Sequence, residues 1–212
     1  MKTLFVLILM LGLSAIAFSQ VTVGTTSLNK VEHTAVVGDF GYAPDIVEAV
    51  LLDDLKTLGF GKGDSYKGFR KYANIQFDKL SPDKIDFYFL VDQKNKKEKE
   101  NCTVSIVISK GGDNFINNST NPEILEAAKS YLSGLDNKFS QQKVKVAFEE
   151  QTKVVEKADK EMNSLISKNK SLNTKLKDVQ SDLEKNQKEQ ETQKALLEKE
   201  KLTLENLKKQ LK

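Results

Sequence analysis

Residues 144–211 read VKVAFEEQTKVVEKADKEMNSLISKNKSLNTKLKDVQSDLEKNQKEQETQKALLEKEKLTLENLKKQL. Steps of four and three residues select Val144, Phe148, Gln151, Val155, Ala158, Met162, Leu165, Asn169, Leu172, Leu176, Val179 and Leu183. The same phase continues through Asn186, Gln190, Gln193, Leu197, Glu200, Leu204, Leu207 and Leu211. A spacing that averages 3.5 residues keeps one stripe toward a partner helix and implies a left-handed supercoil. The stretch holds no Gly and no Pro, the residues most costly inside a helix. It is rich in Lys, Glu, Gln and Leu, which lose little rotamer freedom there. From Lys143 to Lys212 such a helix spans about 105 Å, too long to hide its stripe inside a small domain of its own chain.

Two other readings compete. A lone solvated helix stabilised by its charges needs no unbroken apolar seam. A helical hairpin would turn in the polar run SKNKSLN, residues 167–173, but the heptad phase passes unbroken through Asn169 and Leu172. The seam is polar from Asn186 to Gln193, where buried amides fix register at a cost in stability. Flanking charges specify a parallel pair poorly, since Glu189 to Lys194 is the one clear attraction. Dimer, trimer and antiparallel arrangements all stay open.

The other end reads differently. Residues 1–20 carry Lys2, an apolar run from Leu4 to Leu13, then small residues, which is the pattern of a secretory signal peptide. The run is shorter than the roughly 20 residues of a membrane span, so no span is expected after cleavage, placed just before Gln20 or Val21. The alternative is an uncleaved amphitropic anchor. The one cysteine, Cys102, lies far from the cleavage region and has no partner for an intramolecular disulfide. The domain must therefore rely on an ordinary core.

Net charge is +3 over 212 residues, too small to imply nucleic acid. It is unevenly spread: +4 from residue 143 onward and −2 over residues 21–142. This is a mixed, solvated surface.

Residues 21–137 read as an α+β head, a small antiparallel sheet covered by helices in the order β-α-β-β-β-α. VTVGTTSL (21–28) is an extended lead-in. VEHTAVV (31–37) alternates and is β-branched, so it is a strand; GDFGY (38–42) turns. Pro44 opens a helix to about Leu58, stopped by Gly59. GFGKGDSYKG (59–68) is a glycine-rich connector. A phosphate loop needs a strand before it and a helix after, and here the order is reversed.

FRKYANIQF (69–77) sets Ala73, Ile75 and Phe77 on one face. IDFYFLV (85–91) sets Ile85, Phe87, Phe89 and Val91 against Asp86, Tyr88 and Leu90. CTVSIVIS (102–109) sets Cys102, Val104, Ile106 and Ile108 against Thr103, Ser105 and Val107. Residues 92–101 form a charged hairpin loop, and the three strands form a meander, each with one apolar face. Residues 111–121 are a polar loop. Asn121 and Pro122 begin a second helix, with Asn121 as N-cap. Gly134 and Asp136-Asn137 interrupt it, which places the coiled-coil helix at residues 138–212 and predicts a folded, monomeric fragment ending at Leu135.

Candidate chemistry is thin, and no catalytic, cofactor or metal residue is assigned. His33 is the only histidine and has no second histidine at ligand spacing; it reads as an ordinary strand residue. Cys102 would need a nearby base to act as a nucleophile, and it begins an apolar face. Asp53 with Asp54, and Asp83 with Asp86, are acid pairs that nothing distinguishes from solvated carboxylates. The Asp, Asn and Gly of residues 111–121 lack the alternation and closing Glu of a calcium loop. Sequons at Asn101, Asn117, Asn118 and Asn169 matter only in a glycosylating host.

The signal ending Ala17-Phe18-Ser19-Gln20, the motifs GDFGYAP and VSIVISKGGDNFI, and the helical tail resemble uncharacterised secreted proteins of Bacteroidota. That resemblance implies a cell-envelope setting and no activity. The basic, coiled tail is also similar to Skp-type periplasmic chaperones, although their tentacles are inserted within a β body and this coil is terminal. The expectation is an exported non-enzymatic protein whose residues 144–211 self-associate or dock on a helical partner. A periplasmic holdase chaperone is the alternative, motivated by exposed apolar groups at Val154, Ile166 and Leu196. An enzyme of unknown type comes third.

Overall fold

The computed structural model describes residues 20–94 and 98–210. The signal peptide expected at residues 1–20 lies outside them, apart from Gln20. Among the described residues, six strands, β1 (Gln20–Leu28), β2 (Val31–Phe40), β3 (Asp64–Tyr66), β4 (Phe69–Ile75), β5 (Ile85–Gln93) and β6 (Cys102–Ser109), form one antiparallel sheet in the order β1-β2-β6-β5-β4-β3, with three helices: an α+β head and a long C-terminal helix.

The expected lead-in is a full edge strand, β1 (Gln20–Leu28). It pairs with β2 (Val31–Phe40), Leu28 opposite Val31. The turn between them is Asn29-Lys30, both left-handed at φ 54° and 67°, the backbone sense that fits the twist of a two-residue hairpin. β2 also runs three residues past its expected end, through Gly38-Asp39-Phe40. A Cβ on Gly38 would stand 2.7 Å from the Phe40 ring and 3.1 Å from Leu132, so glycine here lets a helix approach the strand.

Helix α1 (Pro44–Thr57) follows, with Leu58 as its C-cap and Gly59 at φ 89° beyond it. The glycine-rich connector contains a second unexpected edge strand, β3 (Asp64–Tyr66), which turns through Lys67-Gly68 into β4 (Phe69–Ile75). Here the expected alternation fails. The register against β5 shifts between Tyr72 and Ile75, and Asn74 adopts φ 53°. A bulge re-aims every side chain beyond it. Ala73 is exposed and Ile75 only half-buried, Tyr72 takes the core position, and Phe77 reaches the core from the loop after the strand.

β5 (Ile85–Gln93) and β6 (Cys102–Ser109) pair as expected. Ile85, Phe87 and Phe89 join Cys102, Val104, Ile106 and Ile108 in the main core. α1 lies over β5 and β6, and α2 (Pro122–Ser133) over β1 and β2. The opposite face is not merely solvated. Leu28, Ala35, Phe69, Tyr88 and Val107 form a smaller cluster, with Phe115 packed on it from the 110–121 loop. Asn121 occupies the cap position of α2 but makes no capping hydrogen bond; Asn117 accepts from the backbone N–H groups of Ser119 and Thr120 instead.

α3 runs from Asp136 to Gln210, with no turn at residues 167–173. Its first turns belong to the head. Phe139 is fully buried and meets Phe40 edge-on with ring centroids 5.0 Å apart. The described residues divide into one unit that ends at Phe148 and another that begins at Glu149, so the head extends past the Asn137 boundary. A fragment ending at Leu135 lacks part of the head's core.

Candidate functional site

Three places in the head combine polar chemistry with burial, and a fourth, at Asp39, lies nearer the surface. The first joins its helices. Asp54 on α1 is 4% exposed. Its carboxylate accepts from the Tyr131 hydroxyl of α2 at 3.0 Å and from Lys138 of α3 at 2.5 Å. A buried carboxylate must be paired and hydrogen-bonded to stay charged. Burial and the adjacent Asp54 push the Tyr131 hydroxyl well above the ordinary phenol range. The adjoining Asp53 lines a surface groove with Ala49, Lys138 and Gln142, so the pair Asp53–Asp54 is divided between surface and interior.

The second holds the bulge. Asp86 accepts from the Asn74 N–H at 2.8 Å and ion-pairs with Lys71 at 3.2 Å. The Lys71 ammonium also lies over the rings of Tyr66 and Tyr88, a favourable cation–π geometry. Hydrogen bonding to Tyr88 holds the Lys71 ammonium above its usual range, and burial raises the Tyr88 phenol. Asp83 pairs instead with Lys110 at 3.4 Å, so Asp83 and Asp86 do not act together. Asp39 on β2 accepts from Lys94 at 2.8 Å and Thr103 at 2.6 Å. Those two hydrogen bonds, the Lys94 one foremost, hold its carboxyl below the ordinary range.

The third is a groove of about 290 Å³ on the face away from the helices, lined by Asn29, Val31, His33, Tyr66, Asp113 and Phe115. His33 stacks on Phe115 with centroids 3.9 Å apart. Cys102 is on the other face, fully buried in the main core. Desolvation, with a smaller contribution from Asp39, pushes its thiol up to about 12. His33 and Cys102 are therefore separated by the sheet, and a thiol held neutral is a poor nucleophile. Among the described residues, no group of three or more His, Cys, Asp or Glu side chains is placed to hold a metal ion. Sequence reasoning missed the pairing of Asp54 with Lys138 and of Asp86 with Asn74. The one sequence signal is at Asp54, a carboxylate at the helical spacing of Val47, Val50 and Leu51; Asp86 sits on the strand face opposite Ile85 and Phe87 and carries none.

α3 beyond residue 148 is different in kind: every described residue there is exposed. Along the expected seam Met162, Leu165, Leu172, Leu176, Val179, Leu183, Leu197, Leu204 and Leu207 all lie open. No described helix is long and apolar enough to cross a membrane. An uncovered apolar row of this length is a surface that monomeric soluble proteins rarely present.

No protein-family model, curated protein or solved structure matches this chain.

Proposed function

We propose that the protein is an exported, non-enzymatic assembler of the cell envelope: the head recognises an unidentified ligand, and α3 associates with a second copy or another helix. The observation that carries this reading is the seam from Met162 to Leu207, in unbroken heptad phase and exposed throughout a single chain. Burying a Leu or Val side chain contributes about 1.5–3 kcal/mol. The eight Leu and Val side chains of this seam, from each of two copies, outweigh the roughly 4–15 kcal/mol that association costs in lost motion. The separation of His33 from Cys102 supports the non-enzymatic part, and the signal pattern of residues 1–20 supports export.

Substituting Leu176→Asp and Leu183→Asp together places charges in the seam, where burial without a partner is strongly unfavourable. Sedimentation of the mature protein is expected to give an assembly, and of the double variant a monomer with reduced helicity by circular dichroism. Unchanged mass and helicity would end the proposal.

A holdase reading draws on Val154, Ile166 and Leu196, which are exposed outside the seam. It requires suppression of client aggregation at stoichiometric amounts; none would remove it.

A further inference from the structure

The charges beside the seam say more than that α3 associates. In the heptad phase of the seam, the charges on the edge before each first core position are Glu161, Lys168, Lys175, Asp182 and Glu189, and those on the edge after each second one are Lys145, Asp159, Lys194, Lys201 and Lys208. In a parallel, in-register pair these edges face each other across the seam, and Glu189 with Lys194 is the single attraction. Residues 168–177, at net +4, would also lie against their own copy, and like charges at close range repel.

Reversing one helix changes each of these contacts. We infer that two copies of α3 pair antiparallel, with the two-fold axis between Lys177 and Asp178. The inference rests on α3 being a self-association surface and adds the orientation and register. Three observations select this arrangement. First, it sets Lys175 against Asp182, Lys168 against Glu189 and Asp159 against Lys194, each twice by symmetry. The basic run 168–177 then faces residues 178–187, at net −2. Lys145 with Lys208, near the ends, is the one like-charged edge contact.

Second, the same register places Leu176 opposite Val179 and Leu172 opposite Leu183. It also brings Asn169 opposite Asn186, the only two asparagines of the seam. Both are exposed in the single chain, each accepting from the amide four residues on. A buried asparagine needs a polar partner and so fixes register. Sliding by one heptad in either direction sets Asn169 opposite Val179 or Gln193, and sets Glu161 against Glu189 or Asp182 against itself.

Third, this register covers the seam over its full length, with Phe148 opposite Leu207. A one-heptad slip leaves a segment of each helix uncovered. Antiparallel helices also oppose their macrodipoles favourably.

Spin labels decide the orientation in the full-length protein. Labels are attached at Lys177→Cys or at Lys153→Cys; buried Cys102 stays unlabelled. In the antiparallel pair, labels at 177 are within about 20 Å, two helix diameters, while labels at 153 are about 74 Å apart along the axis. Equal, short separations at both sites would overturn the antiparallel arrangement and leave self-association standing. A monomer by sedimentation would overturn both.

Charge reversal gives an independent check on register. Lys168→Glu with Lys175→Glu is expected to weaken dimerisation roughly tenfold. Adding Asp182→Lys and Glu189→Lys is expected to restore it. A parallel pair predicts the opposite for the second step, because Glu189→Lys would set two ammonium groups against each other at 189 and Lys194. Further weakening on that addition would reject the register.

Discussion

The head and the segment 149–210 use the same apolar residues in opposite ways. In the head, Val47, Leu51, Phe87, Ile106 and Leu132 each point to an element a few residues or a few strands away, and all are buried. Beyond residue 148, Met162, Leu172, Leu183 and Leu204 repeat as regularly, and all are exposed. The difference is one of element length. Helices of 14 and 12 residues can be covered by a six-stranded sheet. A helix that runs unbroken for 75 residues cannot fold onto itself. Regular spacing therefore marks an apolar face, without saying whether its own chain can cover it.

The largest effect that would sharpen this contrast is at Phe139, which lies on α3 but is buried in the head. Phe139→Ala is expected to destabilise the head by about 3–5 kcal/mol. Met162→Ala, on the same helix but exposed, is expected to change the stability of a single chain by less than about 0.5 kcal/mol. Chemical denaturation at dilutions where the protein is monomeric measures both. Equal effects would mean that the head ends before α3 begins.

Next is the thiol that the head buries. Cys102 titrates near 12 when folded, against about 9 when exposed. Between those values the unfolded chain loses the proton and the folded one keeps it, so stability falls as pH rises from about 9 toward 12. The full loss is on the order of 3–4 kcal/mol. The buried tyrosines Tyr72, Tyr88 and Tyr131 are raised in the same sense, so Cys102→Ala is compared with the parent between pH 8.5 and 10, below most of their contribution. A parent as insensitive to pH as the variant in that window would show that Cys102 is open to solvent.

A smaller effect attends Asp54. Asp54→Ala leaves the buried Tyr131 hydroxyl without its acceptor and is expected to cost about 1–3 kcal/mol. Asp182→Ala, with its ion pair to exposed Lys185, is expected to cost a single chain under about 0.5 kcal/mol. Thermal melts of the two variants make that comparison.

Smallest is Asp39, whose carboxyl titrates below the ordinary range through Lys94 and Thr103. Its contribution is present above the unfolded value, near 4, and is lost as pH falls through the lower folded value. Surface pairs of this kind contribute about 0.2–1 kcal/mol. Asp39→Asn is expected to flatten the acid limb of the stability curve slightly; an unchanged limb would dismiss the pairing.

The parts that could be read directly were those where one local rule sufficed. Pro44 and Pro122 open α1 and α2, and strict alternation in β5 and β6 sorts their two faces correctly. The failures have separate causes. β1 and β3 are edge strands, half-covered at most apart from Leu28, so their polar and Thr-rich faces carry little apolar alternation. β4 alternates in sequence, but its bulge, held by Asp86 across the sheet, breaks the period after Tyr72. Phe139 falls in the stretch assigned to the coiled-coil helix and is in fact a core residue of the head. None of the polar partnerships was legible: Lys138 reaches Asp54 across 84 residues, and such a pair leaves no trace in spacing.

Periodicity, helix-starting prolines and the absence of Gly and Pro after residue 134 settle where helices and strands form, because those preferences act between neighbours in the chain. They also settle that α3 carries a mainly apolar stripe in one heptad phase, polar from Asn186 to Gln193. Long-range packing alone decided that β1 and β3 complete the sheet, that Cys102 and His33 face away from each other, and that α3 surrenders its first turns to the head. Those outcomes depend on which distant segments cover each other, and burial is a property of the assembled surfaces rather than of any one stretch.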